Sequence, residues 1–131
     1  DHLCFNEVTK LSDDAAESFS KHQGILSLGL TKLSDAAAES LSKHQGDLFL
    51  CLLIELSDAA AESFSKHQGD LLLSCLHKLS DAAAESLSKH QGELDLIGLT
   101  ELSDAAAESL SKHKGKINDM DPKEWVESLK E

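Results

Sequence analysis

The sequence predicts an α/β solenoid, with short parallel strands on one side and helices on the other, joined by right-handed crossovers. Three observations carry this. The stretch Leu56-Ser57-Asp58-Ala59-Ala60-Ala61-Glu62-Ser63-Phe64-Ser65-Lys66-His67-Gln68-Gly69 occurs, almost letter for letter, five times, starting at Leu11, Leu33, Leu56, Leu79 and Leu102. Its copies close on Gly24, Gly46, Gly69, Gly92 and Gly115, so the period is 22 residues once and 23 residues three times. Such a period marks stacked units, none of which can bury its apolar face without a neighbour. Within each unit the hydrophobic spacing switches from that of a strand to that of a helix.

The strand half comes first. Apolar residues fall at Leu3, Phe5, Val8 and Leu11, and in the same frame at Leu48, Leu50, Leu53 and Leu56, at Leu71, Leu73, Leu76 and Leu79, and at Leu94, Leu96, Leu99 and Leu102. The L-x-L portion has the period of two of a strand with one buried face, bounded by a glycine. The wider spacing beyond it turns the chain toward the helix.

The helix half opens on Ser12, Ser34, Ser57, Ser80 and Ser103 as N-caps, with an Asp next in the first turn. Lys-His is expected in the last turn, before a C′ glycine. Glu17–Lys21, Glu39–Lys43, Glu62–Lys66, Glu85–Lys89 and Glu108–Lys112 are spaced for i,i+4 ion pairs. The inward stripe is read as Ala16 and Phe19, Ala38 and Leu41, Ala61 and Phe64, Ala84 and Leu87, Ala107 and Leu110. Its small alanines let the helix sit close to the strands.

Two departures from the repeat are informative. Eight residues, 25 to 32, separate Gly24 from Leu33 where later repeats have nine, which predicts a tighter strand exit at Gly29. After Gly115-Lys116-Ile117, a sixth strand is expected to stop at Asn118 and Asp119. Asp121-Pro122-Lys123-Glu124 then has capping-box spacing with proline at the first helical position. The helix that follows offers Trp125, Val126 and Leu129 to cover the last repeat. Residues 1–117 therefore read as the array of about five repeats and 118–131 as its cap. No equivalent cap precedes the first strand, and a bare strand edge implies pairing with another chain or with repeats upstream.

Taken together, the pattern resembles the leucine-rich repeat family, in its short bacterial type. The match is closest to the cysteine-containing subtype, whose L-x-L-x-x-C-x-x-I-T-D is paralleled by Leu94-x-Leu96-x-x-Leu99-x-x-Leu102-Ser103-Asp104. It covers about Leu3 to Ile117. Val8, Leu30, Leu53, Leu76 and Leu99 stand where the family's turn has cysteine or asparagine, which removes the side chain that bonds the turn's backbone there. The resemblance implies a concave face formed by the outward strand positions, convex helices, and a protein-binding function.

On those strand positions the repeats differ. One column reads Cys4, Ser27, Phe49, Leu72, Asp95, and the column before it His2, Ile25, Asp47, Asp70, Glu93. Farther along lie Asn6 and Glu7, Cys51 and Leu52, Ser74 and Cys75, Ile97 and Gly98. The candidate binding surface is therefore Asp47, Phe49, Cys51, Leu52, Asp70, Leu72, Ser74, Cys75, Glu93, Asp95 and Ile97: an apolar patch flanked by acids, suited to a protein or peptide with basic groups around an apolar anchor. The alternatives are a self-association surface, as in a repeat spacer assembling through the N-terminal strand, or apolar residues that are merely tolerated.

With 12 basic and 24 acidic residues the net charge is −12, which makes nucleic acid and anionic membranes poor partners. No apolar run approaches the ~20 residues of a membrane span, and no signal-peptide pattern is present. Three cysteines, Cys4, Cys51 and Cys75, odd in number and scattered among columns, point to free thiols in a reducing, cytoplasmic setting. Cys51 and Cys75 sit on adjacent strands in columns offset by one, an arrangement that disfavours a disulfide.

His22, His44, His67, His90 and His113 invite a metal or pH-sensing ladder. Evenly spaced imidazoles do not converge as a zinc site requires, so the expectation is that they cover the helix seam and donate to last-turn carbonyls. His77 is expected at the surface. Each Ser-Asp pair lies at the opposite end of its helix from the histidine, on the order of 15 Å away, and no phosphate loop, CxxC or HExxH occurs. The sequence therefore predicts no enzyme, no cofactor and no metal.

Overall fold

The computed structural model describes the backbone of residues 2–5 and the whole of residues 11–129. Five strands, β1 (His2–Phe5), β2 (Ile25–Leu28), β3 (Leu48–Phe49), β4 (Leu71–Leu72) and β5 (Leu94–Asp95), alternate with helices α1 (Asp13–Ser20), α2 (Asp35–Ser42), α3 (Asp58–Phe64), α4 (Asp81–Ser88) and α5 (Asp104–Ser111). A last helix, α6 (Pro122–Ser128), follows. The strands pair in parallel in the order β1-β2-β3-β4-β5, and each helix packs on the next. This repeating α/β order is compatible with a solenoid.

The register sets one leucine column inward. Leu3 pairs with Leu26, Leu26 with Leu48, Leu48 with Leu71 and Leu71 with Leu94. Leu26, Leu48, Leu71 and Leu94 are buried, as are the columns Leu28, Leu50, Leu73, Leu96 and Leu30, Leu53, Leu76, Leu99. Helical alanines close the other side, with a stripe one residue wider than the sequence reading: Ala37, Ala60, Ala83 and Ala106 are buried beside the leucine or phenylalanine of the second turn. Ala107 and Phe19, by contrast, are only partly buried.

After β3, β4 and β5 the chain turns through an i to i+3 bond, Leu53 N–H to Leu50 O, Leu76 N–H to Leu73 O and Leu99 N–H to Leu96 O, at 3.0–3.2 Å. The turn so closed has two residues between paired leucines. In the second repeat only Gly29 separates Leu28 from Leu30, and there β2 runs four residues instead of two. Val8, Asn6 and Glu7 lie outside the described residues.

All five serines cap their helices. Each accepts the N–H three residues on, at 3.0 to 3.1 Å, as in Ala60 to Ser57 and Ala15 to Ser12. The other end differs from expectation. The helices stop at Ser20, Ser42, Phe64, Ser88 and Ser111, so Lys21, Lys43, Lys89 and Lys112 are C-caps outside the last turn, and Ser65 caps α3. Nor is the glycine a C′ residue. Gln23, Gln45, Gln68 and Gln91 first form a run of parallel bridges, and the glycines that follow, Gly24, Gly46, Gly69 and Gly92, have φ of 109° to 127°, well away from the left-handed helical value of a C′ glycine. Their reason is crowding: a Cβ on Gly69 would lie 2.4 Å from the Gly46 carbonyl oxygen, and on Gly92 2.4 Å from that of Gly69. Of the five Glu–Lys pairs, Glu108–Lys112 closes, at 3.8 Å and exposed; the other four stay open.

The array ends as a strand that is begun and then replaced. Ile117 bridges Leu94, and Asn118 and Asp119 turn back through positive φ of 53° and 63° so that Ile117 also bridges Met120. The Asn118 carboxamide oxygen takes the Leu96 N–H at 2.6 Å, standing in for a strand carbonyl. α6 then covers α5 with Pro122, Trp125 and Val126, all buried. Leu129, expected to join them, is 40% exposed. Asp121 accepts from Lys123 N at 2.9 Å, a cap one residue short of the capping box, and Glu124 makes no return bond.

Candidate functional site

Strand side chains alternate, so the residues between the buried leucines stand on the sheet face opposite the helices. The pairing places Ser27, Phe49, Leu72 and Asp95 in one row, with Cys4 at its head by backbone register. The expected columns are therefore brought together. Phe49 and Leu72 are half-buried in the row, while Leu52 is 46% and Ile97 70% exposed at the turns that follow. Ile54, beyond the turn of the third repeat, is also exposed, and the sequence reading did not include it.

The flanking acids are less free than their spacing implied. Asp47 Oδ1 accepts the Asp70 N–H at 2.9 Å, and Asp70 Oδ1 the Glu93 N–H at 3.1 Å. Asp95 takes the Ile97 N–H at 3.0 Å through one oxygen and the Ser74 hydroxyl at 3.3 Å through the other. The first two carboxylates extend the sheet by one rung where the strands begin, and the third ties a turn to its neighbour. Glu93 stays exposed. A hollow of about 170 Å³ lies between Leu72, Asp70, Glu93, Asp95, Asn118 and Asp119, so the acidic end of the face is concave on the scale of a small side chain.

Cys51 and Cys75 are free and half-buried. Burial raises the Cys51 thiol above its ordinary value, the charge of Asp95 and the neighbouring Cys75 add to this, and a hydrogen bond with Ser74 opposes it. A thiol held protonated is a poor nucleophile. Cys4 has no described side chain.

The histidines form a stacked column inside the molecule. His44, His67, His90 and His113 are buried, and successive rings from His22 lie 5.6–6.4 Å apart between centroids and within 6–16° of parallel. Their acceptors are not chiefly last-turn carbonyls, as expected, but the glycine carbonyls of the preceding repeat. His44 Nε2 bonds Gly24 O at 2.7 Å, His67 Nε2 Gly46 O at 2.8 Å and His113 Nε2 Gly92 O at 2.9 Å. His113 alone meets a last-turn carbonyl as well, Nδ1 to Ser88 O at 3.2 Å. Desolvation pushes the His90 imidazole down to about 4, reinforced by His67 and His113 and opposed by the Gly69 carbonyl. Desolvation also lowers His67, helped by His44 and opposed by the Gly46 carbonyl and by Asp47 and Asp70. His77 is exposed, with Nδ1 3.1 Å from Gly98 O.

A second ladder escaped the sequence reading. From the second repeat on, each capping serine also donates to the first-turn aspartate of the preceding helix: Ser34 to Asp13 at 2.8 Å, Ser57 to Asp35 at 2.5 Å, Ser80 to Asp58 and Ser103 to Asp81. The signal was present, since residues one period apart become neighbours and Ser-Asp recurs at that period. It was read within one helix and not across two. Among the described residues, no cluster of His, Cys, Asp and Glu is placed to hold a metal ion, and no helix is long and apolar enough to cross a membrane.

Comparison with protein-family models, curated proteins and solved structures returns no match.

Proposed function

We propose that the chain is a right-handed leucine-rich repeat solenoid that works as a protein-interaction module, docking a protein or peptide on the sheet face away from its helices. The observation that carries this reading is the division of labour inside each repeat. The constant half is used in packing, capping and stacking, whereas the varied positions Phe49, Leu52, Leu72 and Ile97 stand on the open face. Variation on one surface over a fixed scaffold is how repeat proteins set partner choice. The net charge of −12, with Glu93 and Asp119 exposed beside Leu72, favours a partner presenting an apolar anchor between basic groups. The reading includes no catalysis, cofactor, metal, nucleic acid or membrane.

Panning a random peptide library on the immobilised protein tests it. Enriched peptides should carry an apolar residue flanked by Lys or Arg, and Leu72→Asp, with an unchanged circular dichroism spectrum, should weaken them at least ~10-fold, the range of a buried interface anchor. Peptides that bind Leu72→Asp as well as the parent would overturn the docking face.

Self-association is the second reading, and β1 supports it: among the described residues its strand partner is β2 alone. An open edge is a template for another chain. Light scattering across concentrations should then show a dimer or larger species that Cys4→Pro, which removes an edge N–H, reduces to a monomer near 14.1 kDa.

A further inference from the structure

The imidazole column has a chemistry that the docking face does not use. A neutral imidazole carries one N–H and one bare nitrogen. With Nε2 of His44, His67 and His113 against glycine carbonyls, the proton of each neutral ring belongs on Nε2, and Nδ1 is bare. Protonation would add an N–H at Nδ1, and the column has almost nowhere to direct it. His44 Nδ1 and His90 Nδ1 are buried without a partner. His67 Nδ1 lies 3.3 Å from His90 Nε2, where it accepts the N–H that His90 also directs at Gly69. A second proton there would set donor against donor across the closest rung, with centroids 5.6 Å apart. Among the described residues, His113 does offer an acceptor for it, the Ser88 carbonyl.

We propose that this column is an acid-operated switch: the repeats stay stacked only while its rings are neutral, and protonation parts the array at the His67–His90 rung, between α3 and α4. The charged groups around the column oppose the lowering of His67 without outweighing its burial. Asp47 and Asp70, on the sheet side of His67, are already held by backbone N–H groups. On the helix side, Glu39, Lys43 and Lys66 rim the groove beside His44, two cations against one acid. Charge on the neighbouring rings, His44 beside His67 and His113 beside His90, opposes protonation of these two. The sign follows from the burial of His67 and His90. Their imidazoles lie below the ordinary histidine value when folded, so the unfolded chain binds more protons as pH falls below about 6.5, and stability is lost from there down to the folded value.

The test is thermal unfolding of the full chain from pH 7.5 to 4.5, beside the His67→Gln/His90→Gln double variant, whose amides can still donate to the glycine carbonyls. The parent should lose roughly 10 °C over that range and the variant less than half of it. A parent whose melting temperature stays level, or a variant that falls as far as the parent, overturns the switch. Should the variant not fold, proton NMR of the parent's imidazole C2–H signals decides. The His67 and His90 signals should hold their neutral positions until all folded signals disappear together. A smooth titration of either ring near 6.5 in a chain that stays folded overturns the proposal.

Discussion

At Gly69 the backbone of one repeat meets the backbone of the last, and a single methyl group has no space there. The missing Cβ would sit 2.4 Å from the Gly46 carbonyl oxygen, at a φ of +124° that side chains rarely adopt. Strain and clash act together, so Gly69→Ala should cost roughly 3 kcal/mol or more, read from the urea midpoint; a cost under ~1 kcal/mol would mean that the stack is looser than drawn. The sequence marked these glycines as stops but supplied the wrong reason, because the atom that excludes a side chain belongs to the same residue type 22 or 23 positions earlier. The histidines were misread for the same cause. Last-turn carbonyls were the expected acceptors, whereas the partners found, Gly24, Gly46 and Gly92, lie in the preceding repeat.

At the scale of the element, helices α2 to α5 are each fixed at the first turn by a serine with two duties. Ser57 accepts from Ala60 N at 3.0 Å and donates to Asp35 at 2.5 Å, so it caps α3 and ties it to α2. Ser57→Ala should therefore cost about 1–2 kcal/mol, the upper part of the range for a cap. Asp35→Ala should cost less, and the double variant should fall short of the sum by about 0.5 kcal/mol or more, since both single changes break the same bond. Strict additivity in urea unfolding would show that the link between helices carries no energy. The helices and strands themselves were legible, because cap, apolar spacing and glycine agree in every copy. Their ends were less so, as the shift of Lys43 out of α2 shows. α6 was legible from Pro122 and from the Trp125–Val126 pair, yet Leu129 lies one turn too far along to reach the array. Trp125→Ala should cost about 3 kcal/mol and raise amide exchange in α5 ahead of α2, which a melt and an exchange map would both register.

Over the whole molecule the alignment that makes the stack regular also lines up its charges. Stacking sets Asp13, Asp35, Asp58, Asp81 and Asp104 in one column and the Glu of each helix in another, within a net charge of −12. Hydroxyls stand between the aspartates, but four of the five lysines that follow the helices leave their glutamates unpaired, so the acids repel at low ionic strength. The repeating α/β order was legible at this scale and the candidate face only in part. The register that gathers Phe49 and Leu72 follows from the period, but the use of Asp47, Asp70 and Asp95 as backbone acceptors depends on side-chain reach, which no spacing encodes. The charge columns lie at the surface, whereas the imidazole column is buried. The neutral His90, held at about 4, withdraws on the order of 3 kcal/mol between 6.5 and that value. Salt separates the two, since it screens exposed carboxylates and barely reaches buried rings. In 0.5 M NaCl the protein should be more stable at pH 7.5 by about 1 kcal/mol than in 20 mM, and its loss of stability toward pH 4.5 should persist. Urea unfolding at the four combinations of salt and pH measures both effects, and an acid loss that shrinks in high salt would assign the pH response to the surface carboxylates and not to the buried column.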